Sequence, residues 1–149
     1  MTPTPALDRT METTSARTAG RAWRTGLVAG GIALVANLAV LAAAGLAGTD
    51  LTVKPPGQNT MTIGVAMVTA TTVVPVLLGT ALLVALRGRG AKAWRTLALL
   101  GLIVGVVTAP APSTVEAEGA TRLALASMHV ITGLVWFAVV RRVTGSQEG

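Results

Sequence analysis

Four long apolar stretches, separated by short polar segments, dominate the sequence. The first two, residues 26–48 and 61–86, contain no Asp, Glu, Lys or Arg. An α-helix rises about 1.5 Å per residue, so about 20 apolar residues cross a hydrocarbon core of about 30 Å. The pattern predicts an all-α protein, a four-transmembrane-helix bundle with spans at about 26–48, 61–86, 96–113 and 121–140.

The second and third spans have unusual lengths. Residues 61–86 would extend about 39 Å as an upright helix, so we expect this span to tilt, project or kink at Pro75, which lacks a backbone N–H. The third apolar run, residues 96–109, is short enough for a re-entrant segment. We nevertheless predict a full crossing to about Ser113, because a segment that turned back would place Arg141 and Arg142 opposite the other basic residues.

The polar segments at the two ends of the chain predict tails that precede and follow the membrane domain in sequence. Residues 1–20 hold few apolar side chains and are expected to form a disordered tail. Residues 21–142 form the predicted membrane domain, and residues 143–149 a second tail. One alternative remains open, a cleaved signal peptide with a mature amino terminus near Gly48. The first apolar region is, however, longer than the roughly 7 to 15 residues of a signal sequence.

The basic residues predict the orientation of the bundle. Ten of the twelve fall on one side of the predicted topology: Arg9, Arg17, Arg21, Arg24, Arg87, Arg89, Lys92, Arg95, Arg141 and Arg142. Only Lys54 and Arg122 fall on the other side. Because cytoplasmic loops carry an excess of Lys and Arg, we expect both termini in the cytoplasm and a multi-pass protein of the plasma membrane, here a bacterial inner membrane.

Composition removes several classes of function. The net charge of +6 would suit nucleic acid, but the basic residues flank apolar spans, and three Trp, one Phe and no Tyr offer little base stacking. We therefore expect the lipid bilayer, and no nucleic acid, as a partner. One His and no Cys predict no metal site, no cofactor and no thiol chemistry. The absence of nucleophile and phosphate-loop patterns favours a protein that is not an enzyme, and an intramembrane enzyme stays open as a third alternative behind the two hypotheses given below.

Small residues recur at helical spacing on each span and predict the packing surfaces. Lipid does not drive helices together by the hydrophobic effect, so close approach of small residues and hydrogen bonds must hold them. Gly26 and Gly30 form such a stripe on the first span, and Gly101 and Gly105 form a GxxxG pair on the third. The fourth span groups the following residues on one face: Leu125, His129, Thr132, Gly133 and Trp136.

Polar side chains of all four spans are predicted to lie at one depth. Asn37 is eleven residues from Gly26, and His129 is eleven residues from Val140, which places each about 16 Å from the cytoplasmic end. The same counting predicts a buried midplane layer composed of Asn37, Thr72, Thr108 and His129. Pro75 lies at this depth and frees the carbonyl of Thr71 as a further acceptor.

His129 is the only ionisable side chain within the apolar interior of a predicted span. An ionisable group inside a membrane is by default a candidate for function. The alternative is a structural role, in which a neutral imidazole donates to Asn37 or to a backbone carbonyl.

Four short motifs resemble a known family. They are the basic segment Ala22-Trp23-Arg24, Asn37 in an Ala-rich first span, Val73-Val74-Pro75, and Ala126-Ser127-Met128-His129. Together they resemble an uncharacterised family of small four-helix membrane proteins from high-GC Gram-positive bacteria, classified as a domain of unknown function. The likeness covers roughly residues 20–141, and the family brings no assigned activity.

Two functional hypotheses remain. The first is a non-enzymatic helix-packing or accessory module that joins a second copy of itself or a larger membrane protein through its small-residue stripes. The second is a small proton-linked transporter with a midplane site around His129 and Asn37. Small multidrug-resistance exporters carry a membrane-embedded Glu, which this chain lacks, so the first hypothesis is favoured.

Overall fold

Four α-helices make up most of the computed structural model, which describes the backbone of residues 5–145 and the side chains of residues 18–145. The helices are α1 (Pro5–Leu46), α2 (Val65–Ala85), α3 (Gly90–Thr108) and α4 (Gly119–Gly145). Four segments are long and apolar enough to cross a membrane: Thr18–Leu46, Val65–Ala85, Arg87–Thr114 and Gly119–Gly145. They indicate a multi-pass membrane protein.

The first and last helices extend further than the sequence suggested. α1 begins at Pro5, within the stretch expected to form a disordered tail, and α4 continues to Gly145. Ala, Leu, Arg, Met and Glu in residues 5–20 have good helix propensity, and extending an existing helix requires no new nucleation. The predicted tail residues 1–4 and 146–149 lie outside the described part of the chain.

The second helix is shorter than expected. α2 begins at Val65 and has 21 residues, which extend about 32 Å and match the hydrocarbon core. The expectation that this span is too long to stand upright was therefore wrong. Met61 and Thr62, assigned to the span by their apolar surroundings, lie in a β-strand. Pro75 is inside α2, as predicted.

A small antiparallel sheet, which the sequence analysis did not predict, covers one end of the bundle. β1 (Thr52–Lys54) lies between β2 (Met61–Thr62) and β3 (Glu116–Ala117). We call this end the sheet end, and the opposite end, which carries Arg87–Arg89, the basic end. A Pro55–Gln58 turn joins β1 to β2, and its third residue, Gly57, has a φ of 72° that other residues rarely adopt.

The third helix carries the chain from the basic end to the sheet end. A 3-10 turn at Arg87–Arg89 precedes α3, and a second 3-10 turn, Ala111–Thr114, follows it. Pro110 and Pro112 lack the N–H groups that would continue the α-helix. β3 then pairs with β1 at the sheet end. The third span therefore runs from one end of the bundle to the other and does not turn back.

The helices pack in the order α2, α1, α4, α3, each along its neighbour in that series. α2 and α3 meet only sparsely. Tertiary hydrogen bonds hold α4 to α1 at one end and to the loop that follows α1 at the other. At the basic end, Arg21 Nη2 donates to the carbonyl of Val143 at 2.9 Å. At the sheet end, the hydroxyl of Thr121 donates to the carbonyl of Asp50. The series therefore leaves a cleft between α2 and α3.

The predicted glycine stripes lie at the closest helix contacts. A Cβ atom added to Gly105 would lie 2.7 Å from the His129 carbonyl oxygen and 2.9 Å from the Cα of Gly133. A Cβ atom on Gly30 would lie 3.2 Å from Val76 Cγ1, and Gly26 faces the side chain of Thr80. Each of these glycines therefore contacts a neighbouring helix of the same chain.

We predict that Gly105→Ala destabilises the protein by about 1–3 kcal/mol, because the new methyl group meets backbone atoms of α4 that no side-chain rotation can move. The measurement is the free energy of unfolding in mixed detergent micelles.

Gly31→Ala is the matched control, because Gly31 is helical and nothing lies within 4 Å of its added Cβ. This variant should keep or gain stability, by up to about 1 kcal/mol, since alanine favours helix. Equal stability of the two variants contradicts the close contact between α3 and α4.

Candidate functional site: an intramembrane cleft

The cleft between α2 and α3 has a volume of ≈ 560 Å³. It extends from Ile63 and Pro112 near the sheet end to Leu82 and Leu97 toward the basic end. Residues of α4 and Asn37 of α1 line it between the two outer helices. A ligand pocket of small-molecule size has about 300–1,000 Å³, so the cleft is large enough to hold a small molecule.

Most side chains that line the cleft are apolar, and a few polar residues, which we call the polar layer, lie among them. Six polar residues take part: Asn37, Thr71, Thr72, Thr108, His129 and Thr132. Four of them, Asn37, Thr72, Thr108 and His129, belong to the predicted midplane layer. An apolar pocket with a small number of placed polar groups is typical of ligand-binding sites.

Asn37 joins three helices through its amide. Its Nδ2 donates to the hydroxyl oxygens of Thr72 in α2 and Thr132 in α4, both at 2.9 Å. The Thr132 hydroxyl itself donates to the carbonyl of Met128 at 2.8 Å. Because its single proton is used there, Thr132 can only accept from Asn37, and this fixes the Nδ2 side of the amide toward it.

The other half of the same amide has no partner. Asn37 is 2% exposed, and its Oδ1 is buried without a hydrogen bond to any described residue. Leaving a buried acceptor unpaired costs about 1–3 kcal/mol. A donor from outside the chain that reached this oxygen would remove that cost.

Two hydrophobic clusters lie on either side of this polar layer. Toward the sheet end, Leu41, Val68 and Met128 pack together with residues of the sheet region. Toward the basic end, a second cluster contains Val76 and Trp136. On each of α1, α2 and α4, the residue in the Asn37 network lies between contributions to the two clusters, so the polar layer divides one apolar interior.

His129 bonds within its own helix rather than to Asn37. Its Nδ1 lies 2.8 Å from the carbonyl oxygen of Leu125. A carbonyl only accepts, so Nδ1 carries a proton and donates. No described hydrogen bond uses Nε2, and the half-buried ring lines the cleft.

Thr108 and Pro75 line the cleft without joining the Asn37 network. The Thr108 hydroxyl donates to the carbonyl of Val104 at 2.7 Å, one turn earlier in α3. Pro75 supplies no N–H to the carbonyl of Thr71. The Thr71 hydroxyl donates to the carbonyl of Met67 at 2.8 Å, so the Thr71 carbonyl remains an acceptor beside the cleft.

Trp136 fills the space between α2 and α3 toward the basic end. Its indole lies against Gly79 of α2 and Gly101 of α3, and its Nε1 donates to the carbonyl of Leu97 at 3.2 Å. The absence of a side chain at Gly101 lets the indole reach that backbone. The sequence analysis placed Trp136 on the inward face of α4, but no local pattern identified Gly79 as its neighbour.

The chemistry available in the cleft is dominated by hydrogen-bond acceptors. Among the residues that line it, His129 is the only ionisable one. Within the described part of the chain, no three His, Cys, Asp or Glu residues lie close enough to hold a metal ion. The arrangement can accept hydrogen bonds and bury apolar surface.

Comparison with curated proteins and with solved structures gave no match. A family model described as "Family of unknown function (DUF6069)" matches residues 17–146. That range contains all four candidate membrane-spanning segments and every described residue of the cleft. The expected resemblance to a family of unknown function is confirmed. The chain belongs to the family of unknown function DUF6069.

Proposed function

We propose that this protein is a non-enzymatic membrane module that takes a small, largely apolar molecule from the bilayer into the cleft between α2 and α3. The observation that carries the proposal is the largely apolar cleft of ≈ 560 Å³, whose lining residue Asn37 has a buried Oδ1 with no partner among the described residues. A gap between two membrane helices is reached from the hydrocarbon phase, so an apolar molecule enters it without crossing water. An accessory role beside a larger membrane protein, or in a homo-oligomer, is compatible with this activity.

The proposed location is the plasma membrane, with both termini in the cytoplasm. Support comes from the basic end, which carries residues of three segments that include Arg24, Arg89 and Arg142. At the sheet end, Lys54 forms an ion pair with Glu116 at 3.3 Å. The unequal distribution of basic residues follows the positive-inside rule.

We predict that brominated lipid chains quench the fluorescence of Trp136 even though this side chain is only 6% exposed. The measurement uses a variant with Trp23→Phe and Trp94→Phe, which leaves Trp136 as the single tryptophan, in vesicles of phosphatidylcholine with brominated acyl chains. Chains that enter the cleft come next to the indole, because Trp136 lines it.

Two further substitutions in α3 test whether lipid chains reach Trp136 through the cleft. Val104 is 58% exposed and lines the cleft, whereas Val107 is 70% exposed and does not. Val104→Phe should reduce the quenching by at least half, because the larger side chain takes up space in the cleft, and Val107→Phe should leave it unchanged. Unquenched Trp136, or equal quenching in both variants, contradicts the proposal.

A proton-linked carrier is the second candidate, and the position of His129 favours it. The ring lines the cleft, and Nε2 has no partner among the described residues. A histidine at such a place could take up and release a proton as a bound molecule moves.

If the carrier hypothesis holds, reconstituted protein increases proton flux into vesicles loaded with a pH-sensitive dye, and His129→Leu lowers that flux to the level of protein-free vesicles. Ser127→Ala is the control, because Ser127 lies on α4, does not line the cleft and bonds only to the carbonyl of Ala124. Flux that is the same in wild type and His129→Leu contradicts the carrier and leaves the binding module.

A further inference from the structure

We infer that the molecule held in the cleft carries a hydroxyl group, which donates its hydrogen to Asn37 Oδ1. The inference rests on the proposed function and specifies the chemistry of the ligand: an apolar alcohol. It follows from counting which donors and acceptors of the polar layer are already used.

The donors of the layer are almost all engaged. Both hydrogens of Asn37 Nδ2 go to threonine oxygens. The hydroxyls of Thr71, Thr108 and Thr132 donate to carbonyls of their own helices, as does Nδ1 of His129. A ligand whose polar group can only accept finds few partners here.

The acceptors, in contrast, remain available. Asn37 Oδ1 is buried and unpaired, and Pro75 leaves the carbonyl of Thr71 without the N–H that an α-helix supplies. A ligand that donates a hydrogen bond removes the cost of the unpaired oxygen. The polar layer therefore selects for a donor.

The hydroxyl proton of Thr72 distinguishes an alcohol from an ammonium group. No described hydrogen bond uses the hydroxyl proton of Thr72. The oxygen of this hydroxyl lies 2.9 Å from Nδ2 of Asn37, whose amide also carries the unpaired Oδ1. A hydroxyl can donate to Asn37 and accept from Thr72, whereas an ammonium group only donates. An ammonium group would also remain a desolvated charge, because no Asp or Glu lines the cleft.

Anionic ligands are disfavoured by the same inventory. No Lys or Arg lines the cleft, and a carboxylate would place its oxygens beside Asn37 Oδ1, which also only accepts. A fatty acid therefore fits less well than the alcohol of the same chain length.

The test compares dodecanol with dodecyl methyl ether, which keeps the oxygen and removes its hydrogen. Each is added to brominated-lipid vesicles that contain the variant with Trp136 as its single tryptophan, at equal measured mole fractions in the bilayer. Dodecanol should displace brominated chains and relieve the quenching at a mole fraction about tenfold lower than the ether, the ratio expected for pairing one buried acceptor. Dodecylamine in its ammonium form and dodecanoate in its ionised form should resemble the ether.

Asn37→Leu should abolish the preference, because leucine has a similar size and neither accepts nor donates. Asn59→Leu is the matched control, since Asn59 is exposed in the turn region of the sheet and has negative φ. Folding of each variant is checked by its unfolding midpoint. The comparison of alcohol with ether in the unsubstituted site does not depend on either variant.

The outcomes separate the two proposals. If dodecanol and the ether relieve the quenching at the same mole fraction, the hydroxyl inference is overturned and the proposed binding module stands. A water molecule that donates to Asn37 Oδ1 would give this result. Relief by dodecanoate or dodecylamine at lower mole fraction than by dodecanol also overturns the hydroxyl inference. A preference that survives Asn37→Leu removes Asn37 as the acceptor. No relief by any of the four molecules contradicts both the inference and the proposed function.

Discussion

The contact between the backbones of α3 and α4 is the constraint on which the rest of the structure depends. Gly105 and Gly133 let the two helices approach until Cβ atoms would not fit between them. In hydrocarbon, where burial of apolar side chains does not drive association, such contact is a main source of helix packing. Since α4 also packs along α1, and α1 along α2, α3 ends up away from α2. The cleft is the consequence.

The cleft is shaped by residues that also hold the bundle together. Trp136 keeps α2 and α3 apart where its indole lies between Gly79 and Gly101. Asn37 fastens α2 and α4 to α1. A single amide therefore stabilises the fold with its nitrogen, while its oxygen has no partner among the described residues. In the proposed function, stability and binding use different halves of this side chain, so a ligand would pair with Asn37 without disturbing the helix contacts.

The sequence predicted the four apolar helices, but only part of the site. Charge-free runs identify membrane helices because hydrocarbon excludes charge. The sequence also assigned Asn37 and Thr72 to one polar layer, and the two side chains form a hydrogen bond. Strands of two or three residues leave no periodic pattern, so Met61 was assigned to a helix. Helical spacing tells which face of α4 points inward, not which neighbour it meets, so the partners of Thr132 and Trp136 required the tertiary structure.

A crystal structure of the protein grown from a lipidic mesophase tests the central claim most directly, because it shows what lies between α2 and α3. The account predicts elongated density that belongs to no part of the chain, with a polar atom within about 3.2 Å of Asn37 Oδ1. Side chains of α2 and α3 that meet and close the cleft, with Asn37 Oδ1 paired to a donor of the protein itself, would contradict it.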